Sequence, residues 1–450
     1  MSISPITQPD LVIVCQVFYP ELVSTGQTLT ELVEELAATG LKITVIAAQP
    51  TLLPDSQRVK PVLEHQGITI IRTWSTRLPK TSFIGKLLNL TTFFASASLT
   101  VLFKYRHAQL LLLTNPPYLP LLGWFCHLLR RQPFGVILFD IMPEQAELLA
   151  FIRPDGVIAR AWRWFNGLWY RKAAYAVVLS QDMLEGALKN AGLLGTAEEA
   201  AARARTHTIP VWSDDRLIIP QPKSTSTEAI RLGVQERFVV QYSGNHGRFH
   251  DIETLLALAA SFQPNDGFIF QFIGQGQKKK LADKLISPAS KLPLYSSSYV
   301  SKELLVDSLA MADLGVVAQM PGQERVCYPS KLLGIMAAGR PIFAICPVNC
   351  EMARMICEQE IGFVIANGDV AAGRQVLLEA RANPARLRRM GENASRYLRE
   401  HFTLAQAAKA YFEIISTTSK MTIDGVAAPL KRSDSYALQA DKNSLGARVP

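Results

Sequence analysis

Three stretches carry side chains whose types and spacing suit the handling of a phosphate group. In the first, Val326 to Ile345, the order is loop, helix, turn and buried strand. Pro329 fits a first helical turn, where its missing N–H is not needed, and Ser330 and Lys331 stand at the same N-terminus. Gly339 supplies a left-handed exit, and Pro341 blocks continuation into the strand Ile342 to Ile345. An ammonium beside free helix-terminal N–H groups makes a seat for phosphate; a solvated lysine near a cap is the alternative. In the second stretch, Tyr242-Ser-Gly-Asn-His-Gly-Arg, Gly244 and Gly247 flank Asn245 and His246 and let backbone approach a ligand. Arg248 can bridge two phosphate oxygens, and the helix opening at Asp251 aims its amides at the same place; a plain tight turn is the alternative. The third, Ile273-Gly-Gln-Gly with Gly274 and Gly276, lacks the third glycine of a dinucleotide fingerprint and the acid that holds a ribose, so a nicotinamide enzyme is disfavoured. Lys278, Lys279 and Lys280 after it read as a solvated helix start.

Carboxylates and imidazoles add less. Phe139-Asp-Ile-Met-Pro-Glu follows a strand end, which puts Asp140 and Glu144 outside the carboxyl edge of a sheet. A carboxylate there can orient a sugar hydroxyl or act as a base, while a helix N-cap by Asp140 is the other reading. His246 and His250 are four apart with no third His or Cys beside them, so no metal site is expected. The chain has no Asp-x-Asp, which weakens the case for a Mg²⁺-held diphosphate and leaves Arg248 and Lys331 as the cations.

These stretches need sheets to position them. Leu11 to Phe18 is a continuous apolar run, a helix over about Thr28 to Ala38 turns Leu29, Leu32, Val33 and Leu36 inward, and Ile43 to Ala48 returns as a strand. Leu110 to Leu113, Phe134 to Phe139 and Ala176 to Leu179 extend the pattern, so residues 1–210 read as one doubly wound α/β domain. Thr206 to Pro222 breaks it with three prolines, and Lys223 to Thr227 is polar and of low complexity. The grammar then restarts over residues 211–402 with strands Phe238 to Tyr242, Phe268 to Ile273 and Leu314 to Ala318. Residues 403–416 make a last amphipathic helix, and residues 417–450 have no apolar period and read as a disordered tail.

With 450 residues, 48% of them hydrophobic and 19% charged, the chain has length and apolar content for two or three cores. Its net charge of +9 favours an anionic partner without choosing among nucleic acid, acidic lipid and phosphorylated small molecules. The six cysteines form no C-x-x-C pair, which points to reduced, mostly buried thiols in cytoplasm. Met1 to Asp10 is polar and does not resemble a signal peptide. Leu87 to Phe103 is uncharged but slightly shorter than the ~20 residues of a spanning helix and diluted by Asn89, Thr91 and Thr92, so it is expected to be buried or to lie on a membrane. Basic residues from Lys86 to Lys172, interleaved with Phe, Leu and Trp, suit an anionic bilayer surface.

Taken in order, Val17-Phe-Tyr-Pro-Glu with Gly26, Thr114-Asn-Pro-Pro, Asp140-Ile-Met-Pro-Glu, Ser180-Gln-Asp-Met, Ile209-Pro-Val-Trp-Ser-Asp, Tyr242-Ser-Gly-Asn-His-Gly, Gly274-Gln-Gly and Pro329-Ser-Lys-Leu resemble the family 4 glycosyltransferases of GT-B architecture. The resemblance covers roughly residues 10 to 415 and is to bacterial exopolysaccharide, O-antigen and colanic-acid transferases. It implies two Rossmann-like domains facing across a cleft, with the second binding a nucleotide sugar (UDP- or GDP-linked), the first presenting a polyprenyl-linked or glycan acceptor, and the last helix crossing back to the first. It also implies retention of configuration, no metal or other cofactor, no nucleic acid partner, and a place on the inner face of the cell membrane in polysaccharide or lipopolysaccharide synthesis. On this reading Arg248, Lys331 and Asp140 are catalytic, Gly26, Gly244, Asn245, Gly247, Gly274, Gly276 and Ser330 bind the donor, and Glu144 stands on the acceptor side. Three positions depart from the family: Gly334 and Val326 occupy places where a glutamate is usual, and Phe139 stands where many members carry a histidine. A nucleotide-sugar epimerase of the same fold and a non-catalytic nucleotide-sugar-binding subunit are the rival expectations.

Overall fold

The structure, a computed structural model, describes residues 8–21, 25–50, 59–78, 83–213, 217–285 and 292–424. The first sheet contains β1 (Leu11–Val14), β2 (Ile43–Ala48), β3 (Val62–His65), β4 (Ile68–Thr73), β5 (Gln109–Leu113), β6 (Phe134–Ile137), β7 (Tyr175–Val178) and β8 (Thr206–Thr208), in the order β3-β4-β2-β1-β5-β6-β7-β8. The second contains β9 (Phe238–Ser243), β10 (Phe268–Ile273), β11 (Leu294–Ser297), β12 (Leu314–Ala318), β13 (Ile342–Ile345) and β14 (Gly362–Ile365), in the order β11-β10-β9-β12-β13-β14. Every pair is parallel except β3 with β4. The architecture is therefore the expected pair of doubly wound α/β domains. In each sheet the strand order reverses beside the first strand, between β1 and β5 and between β9 and β12, and the crevice outside such a reversal is where open α/β sheets bind ligands.

The apolar runs form the central strands because they are covered on both faces: β1, β2, β5 and β13 are buried throughout. β1 stops at Val14, not Phe18, because the chain then turns along the sheet edge; Phe18 stays fully buried there as a loop residue. The edge pair β3–β4 is joined by Gln66 and Gly67, both at positive φ, as a two-residue hairpin turn requires. Its outer strand is half exposed, so it lacks the apolar run that marks the others.

The helix Phe83–Lys104 resolves the long apolar run. Phe93, Ala97 and Val101 are fully buried at helical spacing, and Asn89, 5% exposed, accepts from Leu78 N–H (2.9 Å) and the Thr76 hydroxyl (2.9 Å) while donating to Leu78 C=O. Ile84, Leu87, Leu88, Leu99 and Phe103 are exposed on the same helix. Among the described residues it is the one helix long and apolar enough to cross a membrane.

The last helix, Leu404–Asp424, packs on the first half, with Ala408, Tyr411 and Ile415 buried in the cluster that holds Leu29, Leu32, Val33 and Leu36. It runs eight residues past the expected end at 416. The hydroxyls of Thr417, Thr418 and Ser419 donate to carbonyls four residues back, which lets a polar sequence continue the helix. Ser419 also donates to Gln109 Oε1 (2.8 Å). Of the expected tail, residues 425–450 lie outside the described residues.

The two halves meet through paired helix starts. Glu351 accepts from the N–H groups of Gln181 and Asp182, and Asp182 accepts from Glu351 N–H (2.7 Å), so each carboxylate caps the other half's helix. A Cβ on Gly186 would stand 2.2 Å from Arg325 C=O, so only glycine lets the helix Gln181–Asn190 approach that loop.

Candidate functional site

The glycine loops after β9 and β10 are stitched together by backbone. Gly244 N–H donates to Ile273 C=O (2.8 Å), His246 N–H to Gln275 C=O (2.7 Å) and Lys278 N–H to His246 C=O (2.9 Å). Gly244 and Gly274 lie at φ +133° and +132°, and a Cβ on Gly274 would stand 2.0 Å from Gly244 C=O. A Cβ on Gly276 would stand 2.5 Å from His246 C=O, and Gly247 turns the loop beside the Asn245 side chain. Four of the expected donor-site glycines therefore form one surface.

Lys331 comes onto that surface from the other side of the reversal. Its Nζ donates to Asn245 C=O (3.3 Å), lies 3.0 Å from His250 Nε2 and sits 5.0 Å above the Tyr242 ring, whose hydroxyl also donates to Asn245 C=O (2.7 Å). A Cβ on Gly244 would come within 2.9 Å of Lys331 Cε. Burial draws the Lys331 pKa down to about 8 and that of His250 to about 3, with the Lys331 charge adding to the second shift. His250 Nδ1 accepts the Gly247 N–H (3.1 Å), so the neutral ring carries its proton on Nε2, facing the amine. That contact is satisfied with a neutral Lys331, whereas an anion on the glycine surface favours the ammonium. Neither His250 nor Tyr242 stood out for this role in the sequence, where His250 is only half of an incomplete metal pair. Among the described residues no group of three His, Cys, Asp or Glu is placed to hold a metal ion.

The two helix starts contribute less than the spacing implied. The helix after Ser330 is Lys331–Ala337, too short for a strong dipole, and Ser330 is exposed and makes no side-chain cap bond. At the helix Ile252–Ala260 the Asp251 carboxylate itself accepts from Thr254 N–H (3.0 Å) and the Thr254 hydroxyl (2.7 Å), so this N-terminus is already capped by an anion. Arg248 is exposed on the rim, donating to Gln277 and lying 5.4 Å above the Phe151 ring of the first half. It bridges the cleft mouth and has no contact with Lys331. Lys278 and Lys279 are bonded internally, to His250 C=O and Glu253 and to Ser296 and Ser297 C=O.

On the first half, Asp140 is not a helix cap, since the helix Glu144–Leu148 starts after Pro143. Its Oδ1 accepts from Gln145 (2.6 Å), burial raises its pKa, and its backbone bridges to Cys327, four residues before Lys331. Ile141 N–H donates to Val326 C=O (2.9 Å) in the same join. Asp140 thus stands where the halves touch. Glu144 is taken from the expected acceptor side by an ion pair with Arg163 (2.8 Å) and a hydrogen bond from Asn190. Arg163 also pairs with Glu147 and Asp155, so these charges hold the helix Val157–Tyr170 in place. Gly26 is buried in the first half's helix Thr25–Ala38, where a Cβ would meet Glu21 C=O at 2.6 Å.

A cavity of about 200 Å³ opens outside the carboxyl ends of β1, β2 and β4, lined by Gln16, Glu21, Gln49, Thr76, Lys86 and Asn89 among others. Its polar side chains come from four separate segments, which is why no motif announced it. At the two family departures, a Cβ on Gly334 would meet nothing within 4 Å, and Val326 is 3% exposed in the core. The first position has room for a Cβ; the second is apolar because its surroundings are.

Residues 25–212 match the sequence model of the Glycosyl transferase 4-like domain. WbjE of Pseudomonas aeruginosa, a probable glycosyltransferase, is 27% identical over 248 residues, 53% of this chain and 57% of that protein, so the match spans little more than half of this relative's length. Sucrose-phosphate synthase from Thermosynechococcus elongatus has a similar structure, with a TM-score of 0.69 at 16% identity over 93% of this chain and 100% of that one. HepE from Anabaena, solved in complex with UDP-glucose, gives a TM-score of 0.63 at 16% identity over 90% of this chain and 99% of that one. The fold they share with this chain is GT-B.

Proposed function

We propose that this chain, which carries a glycosyl transferase 4-like domain over residues 25–212, moves a sugar from a UDP-sugar to a lipid-linked glycan acceptor with retention of configuration. The observation that carries the reading is Lys331, brought over the joined loops of Gly244 and Gly274 at the reversal of the second sheet. A diphosphate resting on that surface meets an ammonium whose surroundings are already partly dehydrated, so the charge that grows on the leaving group is stabilised at the moment of bond breaking. Arg248 adds a second cation from the rim, and no metal is invoked. The polar cavity around Gln16, Gln49, Lys86 and Asn89 suits the hydroxyls of an acceptor sugar, with Asp140 at the join between the two sites. Cell-surface polysaccharide synthesis is the setting we assign.

The test is to supply UDP-glucose and related donors with and without a polyprenyl-phosphate-linked acceptor. UDP released only with the acceptor is expected; an altered sugar without acceptor indicates an epimerase, and donor binding without turnover indicates the non-catalytic subunit. A donor at 100 times its dissociation constant should raise stability by about 2.7 kcal/mol in the accompanying melting curves.

We also place the protein on the inner face of the cell membrane. The exposed side chains of Ile84, Leu87, Leu99 and Phe103 line a helix whose opposite face is fixed to the sheet, the disposition of an element lying on a bilayer. Nearby Lys86, Lys104, Arg131, Arg153 and Arg160 are exposed, and each such cation near an anionic surface contributes about 1 kcal/mol. Flotation with anionic vesicles should recover the protein and high salt should release most of it. Equal, salt-insensitive recovery with neutral vesicles would remove the electrostatic part of this assignment.

A further inference from the structure

A second cavity in the first half has a different character. It occupies about 410 Å³, within the range of roughly 300–1,000 Å³ typical of ligand sites, and lies between the segment that starts the helix Pro120–Arg130 and the helix Val157–Tyr170. Tyr118, Leu121, Val157, Ile158, Phe165 and Trp169 make most of its wall, and no charged side chain lines it. The amide of Asn166, also on the wall, is taken by Met142 C=O (2.7 Å), Asn190 (2.6 Å) and Trp169 (3.0 Å), so it offers a ligand little. Val157 and Ile158 stand 74% and 63% exposed at the mouth, which is costly surface to leave in water.

Three further observations say what covers it. The mouth continues into the exposed apolar face proposed to lie on the membrane, through Phe125, Leu128 and Leu129 of the helix Pro120–Arg130. Arg160 is exposed on the same turn as Val157, Ile158 and Ala161, so a cation stands where a headgroup phosphate would emerge. Inward, Pro117, Asn166 and Trp169 also wall a small cavity that reaches Thr114 and Asp140, at the ends of β5 and β6 beside the cleft. Phe151, which lies under Arg248 of the second half, precedes Val157 and Arg160 in the chain, so the mouth itself stands beside the cleft where the acceptor must be presented.

We infer that this groove takes the first part of the hydrocarbon chain of the lipid-linked acceptor, with the lipid phosphate at Arg160, so that the acceptor sugar is delivered from the membrane side. The inference rests on the proposed transferase reading for the identity of the lipid, and its test does not depend on turnover. Dodecyl phosphate carrying bromine on its chain quenches indole fluorescence on contact, and Trp162 and Trp169 both line the groove.

The probe, kept below its micelle concentration, should quench wild-type fluorescence saturably. Ala161→Phe, at an exposed lining position where added bulk fills the groove without disturbing the core, should weaken that quenching at least tenfold. Val157→Glu, which sets a carboxylate at the exposed mouth, should do the same and serves if Ala161→Phe does not fold. Lys331→Ala should quench like the wild type, which separates a failure of the groove from a failure of the donor site. No saturable quenching of the wild type, or quenching untouched in both groove variants, would overturn the inference and place the chain on the outer apolar face or nowhere. In turnover, the groove variants should raise KM for a long-chain acceptor while leaving a two-carbon phosphate-linked analogue unaffected.

Discussion

Lys331→Ala is expected to fold and melt at least as well as the wild type while losing most of its affinity for UDP and about 10²- to 10³-fold of its turnover. The fold is indifferent because the ammonium is half-buried against Asn245 C=O, Tyr242 and a histidine that already has its proton on the facing nitrogen, so its removal relieves a partly desolvated charge. Turnover suffers because the charge on the leaving diphosphate grows as the sugar departs, and one such contact is worth about 2.7–4 kcal/mol of barrier. The depressed pKa adds a signature in pH. Between its folded pKa of about 8 and the ordinary lysine value of 10.5, the folded protein sheds this proton while the unfolded chain keeps it, so the Lys331 contribution to stability improves as pH rises through that window. Donor binding runs the other way, weakening above about pH 8 as the ammonium is lost. Lys331→Arg, which stays charged, should flatten that decline. Melting curves, UDP titrations and single-turnover donor consumption from about pH 6.5 to about 9.5 measure the three quantities. A folded Lys331→Ala protein within threefold of wild-type rate would falsify the assignment of Lys331 to the diphosphate.

Ending the chain after Phe402 is expected to give insoluble protein or a much lower melting temperature, whereas ending it after Asp424 should leave melting and turnover unchanged. The helix Leu404–Asp424 closes the cluster of Leu29, Leu32, Val33 and Leu36 with Ala408, Tyr411 and Ile415, and its loss bares both surfaces. Each large side chain so exposed forfeits about 1.5–3 kcal/mol, and a handful of them rivals the roughly 5–15 kcal/mol by which domains are stable. Tyr411→Ala isolates the effect: at 2% exposure its loss should cost about 3–5 kcal/mol. A cut after Ile415 should fall between, because Thr418 is buried and Ser419 hydrogen-bonds Gln109 in the first sheet. Calorimetry on the three truncations orders them, and equal melting of all three would mean that the helix packs too weakly to matter.

The sequence by itself determined the central strands, because a strand covered on both faces must be apolar throughout; β2 and β13 fall on the expected residues without adjustment. It determined the exit of the helix after Lys331 as well, since Gly339 takes φ +64° and Pro341 cannot continue a helix. It also marked the loops of Gly244, Gly274 and Gly276, because positive φ and a neighbour too close for a Cβ leave only glycine. Only the tertiary structure decided which charged groups face the site. A spacing places a side chain near a strand end but is silent about its partners: Glu144 is drawn to Arg163, Asp251 to its own helix, and Arg248 to a ring on the other half. The proton state of Lys331 was equally illegible, because it depends on burial that no local pattern records.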